Sequence, residues 1–159
     1  MIGVYLTNLR KYNDGVLDGA WVELPMDGRE LKKKFKELIG DDEYFITDYD
    51  DEYGFGFGEY EDIFKLNDLL SQVEDFNLVA GIMEWKGFDL QEAIEEQENY
   101  EFIPDMSGEE YEEELMEDCY GNLHEKLGWM ANYVDVDYEA MARDDDAIYE
   151  YKDGIIRER

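Results

Sequence analysis

The hydrophobic and polar positions change their period several times along the chain, and each change predicts an element. Residues 2–7 alternate in part and are rich in β-branched and aromatic side chains, as are residues 19–24, so both segments predict strands. Between them Asn13-Asp14-Gly15 is a turn signal, which predicts two antiparallel strands joined by a long hairpin loop. Pro25 closes the second strand. Asp27 with Glu30 three residues on predicts a capping box, and Leu31, Phe35, Leu38 and Ile39 then share one face of a helix stopping at Gly40. Residues 44–49 (YFITDY) predict a third strand. After a loop at 50–62 the period turns helical, with Ile63, Leu66, Leu69, Leu70 and Val73 in one stripe.

Two more helices are predicted over 78–85 and from Asp89, boxed by Glu92, to about Glu98. Residues 100–103, closed by Pro104, predict a short strand. Ser107 and Glu110 cap a further helix whose inward positions are Tyr111, Leu115, Met116 and Cys119. An apolar segment at 127–134, a helix at 138–142 and a hairpin of 147–152 with 155–157 across Asp153-Gly154 complete the chain. The fold class expected is α+β, in three parts. An N-terminal antiparallel sheet with a helix spans 1–62, a helical middle 63–104, and a C-terminal helix plus β-hairpin 105–159.

Charge changes this picture most. The chain has 159 residues, 44 acids against 14 lysines and arginines, and a formal net charge of −30. Residues 37–64 contain eleven acids and no lysine or arginine, and residues 87–125 contain fifteen acids and again none. Uncompensated charge repels itself, so it must serve solubility, steering or recognition. Halophilic adaptation would spread acids evenly, whereas these windows are contiguous and the lysines cluster early, which favours recognition. Mean hydropathy of −0.65 leans toward disorder, but 13 Tyr, 8 Phe and 3 Trp supply material for a core. A single cysteine, Cys119, permits no internal disulfide, and the N-terminus lacks the pattern of a signal peptide. With no apolar run long enough to span a bilayer, a cytoplasmic protein with basic partners is expected, and neither membrane nor nucleic acid among them.

Candidate chemistry is sparse. Asp48, Asp50, Glu52 and Glu59 match positions of an EF-hand loop, but Tyr53 stands where the sharp turn needs glycine and the preceding element reads as a strand. His124 is the only histidine, and no serine or cysteine lies in an activating motif. Gly54, Gly56 and Gly58 lack the Lys-Ser/Thr of a phosphate loop and sit among acids, so a mobile aromatic loop is expected there. Arg29, Lys32, Lys33, Lys34 and Lys36 could mark a nucleic-acid patch, but on one helix of a strongly negative chain internal charge compensation is expected. No catalytic residue, cofactor or metal is expected.

The N-terminal run also resembles the antirestriction protein ArdA family. The resemblance lies in Val4-Tyr5-Leu6-Thr7-Asn8-Leu9, Lys11-Tyr12-Asn13-Asp14-Gly15, Leu17, Gly19, Ala20 and Trp21, then residues 44–49 and Leu66-Asn67. Looser echoes are Leu127-Gly128, Asn132-Tyr133 and Ala142-Arg143-Asp144. The resemblance implies an elongated chain of small subdomains that forms a homodimer through its C-terminal part. It also implies a mimic of bent DNA that fills the DNA groove of Type I restriction-modification enzymes, encoded on mobile genetic elements. Duplex DNA carries one charge per ~1.7 Å, so thirty charges match ~50 Å of duplex and a head-to-head dimer ~100 Å.

The partner-binding carboxylates expected to replace phosphates are Asp41, Asp42, Glu43, Asp50, Asp51 and Glu52, continued by Glu95, Glu96, Glu98, Glu109, Glu110, Glu112, Glu113 and Glu114. Leu127, Trp129, Met130 and Tyr133 are the candidate dimer contact. Two alternatives stay open at this point: a mimic aimed at another DNA-binding machine, such as a CRISPR effector or nucleoid protein, and a calcium-binding module.

Overall fold

A computed structural model describes all residues, 1–159, as an α+β protein with two three-stranded antiparallel sheets. The first has the order β2-β1-β3, from β1 (Ile2–Asn8), β2 (Gly19–Leu24) and β3 (Tyr44–Asp50). Ile2, Val4 and Leu6 alternate inward from the central strand and are fully buried. The long β1–β2 connection is more ordered than a hairpin loop: it contains helix α1 (Leu9–Asn13), capped by the buried Asn8. The Asn8 amide also donates to Ile39 O and to Asp42 Oδ2 at 3.1 Å, tying the end of β1 to the turn before β3.

Helix α2 (Gly28–Leu38) is capped by Asp27, which accepts from the amides of Arg29 and Glu30; the reciprocal half of the expected box does not form. Leu31 is buried, while Phe35 meets Tyr44 and Phe64 edge-on or tilted at 5.1 Å. Helix α3 (Ile63–Leu70) ends one turn earlier than its apolar stripe predicts. The buried Asn67 on it exchanges two hydrogen bonds with the Met26 backbone at 2.8 and 3.0 Å.

Helix α4 (Phe76–Lys86) is the hub. Leu78, Val79, Ala80, Gly81 and Ile82 are all buried, the pattern of a helix covered on more than one side. A Cβ on Gly81 would lie 2.1 Å from Ile156 Cδ1 and 3.0 Å from the Tyr151 ring, so glycine permits the close approach of α4 to the second sheet. Helix α5 (Leu90–Glu96) starts with the expected Asp89–Glu92 box.

The second sheet has the order β4-β6-β5, from β4 (Tyr100–Pro104), β5 (Ile148–Tyr151) and β6 (Gly154–Glu158). Tyr100–Pro104, expected with the helical middle, therefore belongs with the C-terminal hairpin. An apolar core of 22 buried residues runs from Ile2 in the first sheet through α3, α4 and α5 to Tyr151 and Ile156 in the second. Outside it lie α6 (Gly108–Tyr120), α7 (Leu123–Leu127), a 3-10 turn at Gly128–Tyr133 and α8 (Tyr138–Asp144). The short helix α7 has no counterpart in the sequence expectation.

The accessible surface is 10387 Å². A compact monomer of 18.8 kDa would expose about 8,300 Å², so the chain is spread into small layers.

A candidate polyanionic interface

The loop between β3 and α3 is held by several hydrogen bonds and one buried aromatic ring. The Asp51 carboxylate accepts from the amides of Tyr53, Gly54 and Phe55 at 3.0, 3.0 and 2.7 Å, and Phe55 is buried in the core. Gly56, at φ +71°, takes a backbone conformation that a side chain disfavours, and this turns the chain so that Phe55 and Phe57 stack. From the far side, Tyr151 Oη donates to Tyr53 O and Lys152 Nζ to Glu52 O, at 2.8 and 2.9 Å. Asp51 is thus a loop organiser, and its exposed neighbours Asp50 and Glu52 are the outward charges.

At the other end of β3 stands the turn holding Asp41, Asp42 and Glu43. Strand β3 separates the two clusters by about 20 Å. Asp41 and Glu43 are exposed. Asp42 is half-buried, and the Asn8 amide, aided by Arg10, holds its carboxyl below the ordinary value.

The second acidic region begins at the end of α5. Glu95, Glu96 and Glu98 are exposed; Glu95 accepts from Gln91 and Glu96 from Asn99. The buried Gln97 between them bonds Gln72 O and the Glu74 amide, fixing this turn against the α3–α4 connection.

On α6, Glu109, Glu110, Glu113, Glu114 and Glu117 fall at spacings that place them on one outward face, and all are exposed. Glu110 closes the Ser107 capping box, and the Ser107 amide lowers its pKa. Glu112 is different. It is 3% exposed, its Oε1 has no hydrogen-bond partner, and burial together with the adjacent Asp145 carboxyl pushes its pKa up. It cannot join the outward face.

The inward prediction for α6 is corrected at the same point. Tyr111 and Met116 are half-buried, while Leu115 and Cys119 are exposed. The stripe drawn by Tyr111, Leu115 and Met116 has Glu112 within it, so helical phase was the signal that could have set Glu112 apart.

Charge compensation is slight. Of the 44 carboxylates only five are within ion-pair distance of a cation: Asp42 with Arg10, Asp18 with Lys11, Glu158 with Lys86, Asp144 with Arg143 and Glu101 with Arg157. The basic residues of α2 are absent from these close pairs.

The C-terminal apolar candidates divide. Trp129 and Tyr133 are 76% and 82% exposed and pack edge-to-face at 6.2 Å, with the exposed Met130 in the same turn. Leu127 is half-buried in a cleft of about 150 Å³ shared with Leu123, Ala131 and Val136. No helix is long and apolar enough to cross a membrane.

Fold and surface together define a polyanionic α+β protein. The family model described as antirestriction protein (ArdA) matches residues 4–157, and the chain belongs to that family. The match covers both acidic regions and the C-terminal sheet, well beyond the N-terminal run that carries the resemblance in sequence. An antirestriction function follows: the family inhibits restriction enzymes and is not a known enzyme family. No curated protein matches the chain significantly.

Proposed function

We propose that this protein inhibits Type I restriction-modification enzymes as a DNA mimic, its carboxylates engaging the lysines and arginines of the DNA-binding groove. The observation that carries the reading is the near absence of internal compensation, with five ion pairs among 44 acids. The contacting set is Asp41, Glu43, Asp50, Glu52, Glu95, Glu96, Glu98, Glu109, Glu110, Glu113 and Glu114, with Asp42 as a partly shielded member. Asp51 and Glu112 act inside the protein instead.

Density supports the assignment. Glu109 to Glu117 spans about 12 Å of helix, over which a duplex carries about seven charges on two strands. The five outward carboxylates of α6 approach that density on a surface facing one way. The complex forms in the cytoplasm, where the enzyme meets incoming DNA. A homodimer joined through Trp129, Met130 and Tyr133 doubles the imitated length. That segment suits the role because residues 127–134 carry no charge, so two subunits of −30 can meet there.

Competition with duplex DNA for a purified Type I enzyme tests the reading. Displacement at stoichiometric concentration, whatever the DNA sequence, is the expected result. Neutralising one of Glu95, Glu96 or Glu98 to Gln should weaken inhibition by about 1 kcal/mol or less, with losses accumulating as more are changed. Failure to displace any duplex would refute the mechanism for that target.

A further inference from the structure

Helix α2 carries five of the chain's 14 basic residues: Arg29, Lys32, Lys33, Lys34 and Lys36. Arg29, Lys32, Lys33 and Lys36 follow i, i+3, i+4 and i+7, so they form one stripe away from the side that Leu31 and Phe35 pack into the protein. All four are exposed, and none has a carboxylate within 4.0 Å. Glu30 and Glu37 share the helix, and Asp41, Asp42 and Glu43 follow it, so acids are near in sequence and still unused.

Arg29–Lys33 and Lys32–Lys36 are like charges one turn apart, whereas Lys34 and Glu37 lie off the stripe. Glu30 and Lys36 suit the two ends of the helix dipole, so the helix as a whole tolerates the stripe without using it. Plain charge compensation would scatter these cations among the unpaired acids instead of gathering them in one stripe.

We infer that the α2 stripe is a docking face for carboxylates at the rim of the target enzyme's DNA-binding groove, fixing the orientation in which the protein enters. The inference rests on the inhibitory reading above. A groove built for phosphates repels cations, so α2 must lie outside the inserted surface. The sign of the surface reverses between Lys36 and Asp41, and that reversal marks the edge of the insertion. Surface charge then sets register as well as attraction, because like charges facing one another reject the inverted pose. Duplex DNA fits the stripe less well: its phosphate row continues past Lys36 and would meet Asp41 and Glu43. A second copy of this chain would bring its own charge of −30 to the contact.

The test is charge reversal, because the two explanations predict opposite signs. K32E/K33E/K36E makes the protein more negative. If the stripe only dilutes net charge, reversal strengthens binding to a basic groove. If it docks on carboxylates, reversal weakens binding about tenfold, and the neutral K32Q/K33Q/K36Q weakens it by less. Affinity for the intact restriction-modification complex is measured by displacement of labelled duplex, with circular dichroism and thermal melting confirming that each variant stays folded. Weaker binding by both variants, in that order, is the expected result.

Wild-type protein that displaces duplex while the reversed variant binds equally or more tightly would overturn the docking face and leave the inhibitory reading intact. Wild-type protein that fails to displace duplex would overturn both. Two further arms assign other occupants. Direct binding of wild-type protein to a short free duplex, lost on reversal, would replace the inference with nucleic acid. Self-association at low salt, lost on reversal, would replace it with a second copy.

Discussion

Replacing Glu112 by glutamine should stabilise the protein at neutral pH and leave inhibition unchanged. The carboxyl is buried on the inner side of α6, has an unpartnered Oε1, and faces Asp145 at the end of α8. Burial first, then Asp145, raises its pKa above the ordinary 4.5. The folded state therefore holds a proton more tightly than the unfolded chain. The destabilisation from ionising Glu112 is absent below the unfolded value, grows as pH rises through the folded value, and is complete above it.

Glutamine keeps the shape, cannot ionise, and can donate its amide to the Asp145 carboxylate. Removing the buried charge beside Asp145 and adding an amide donor to that carboxylate should stabilise by about 1–2 kcal/mol, or ~2–8 °C in melting temperature for a chain of this size. The pH dependence separates this site from the general repulsion among the other acids. Both proteins become less stable as pH rises, but the difference between them should widen as pH rises above the ordinary carboxylate value and level off once Glu112 is ionised in the folded state. Thermal melting of the two proteins across the series is the assay. A Gln variant that melts lower, or a difference that stays constant with pH, would refute an ionisable carboxyl held against Asp145.

Asp51→Ala should destabilise the protein by about 1–2 kcal/mol by removing the acceptor for three loop amides, while Glu52→Gln, altering an exposed side chain, should change stability by about 0.5 kcal/mol or less. Urea denaturation checks both, and equal effects would contradict the loop-organising role of Asp51. Trp129→Ala with Tyr133→Ala should convert the proposed dimer to monomer. Raising salt should strengthen the wild-type dimer by screening subunit repulsion while weakening the enzyme complex. Sedimentation at low and high salt decides this, and a wild-type monomer at micromolar concentration in both conditions would sink the dimer.

Much of the fold was determined by the sequence alone, because strands and helices were marked by local rules. The alternation Ile2, Val4, Leu6 specified a half-buried strand, and Asp89 with Glu92 and Ser107 with Glu110 began helices where their carboxylates and hydroxyl could take up free amides. The polyanionic character was equally legible, since charge is a sum over the chain and needs no fold.

Tertiary structure decided which acids face outward. Glu112 and Glu113 are adjacent and chemically identical; helical phase puts them on different faces, but only the packing of α8 buries the one and leaves the other exposed. Asp51 and Glu52 differ for a comparable reason: the chain turns so that three amides converge on Asp51 alone. The partnership of β4 with β6 and the approach of α4 that Gly81 permits join residues fifty or more positions apart, and only the folded core brings them together. The unpaired state of α2 belongs to the same class, because whether a lysine finds a carboxylate depends on distances that no spacing along the chain supplies.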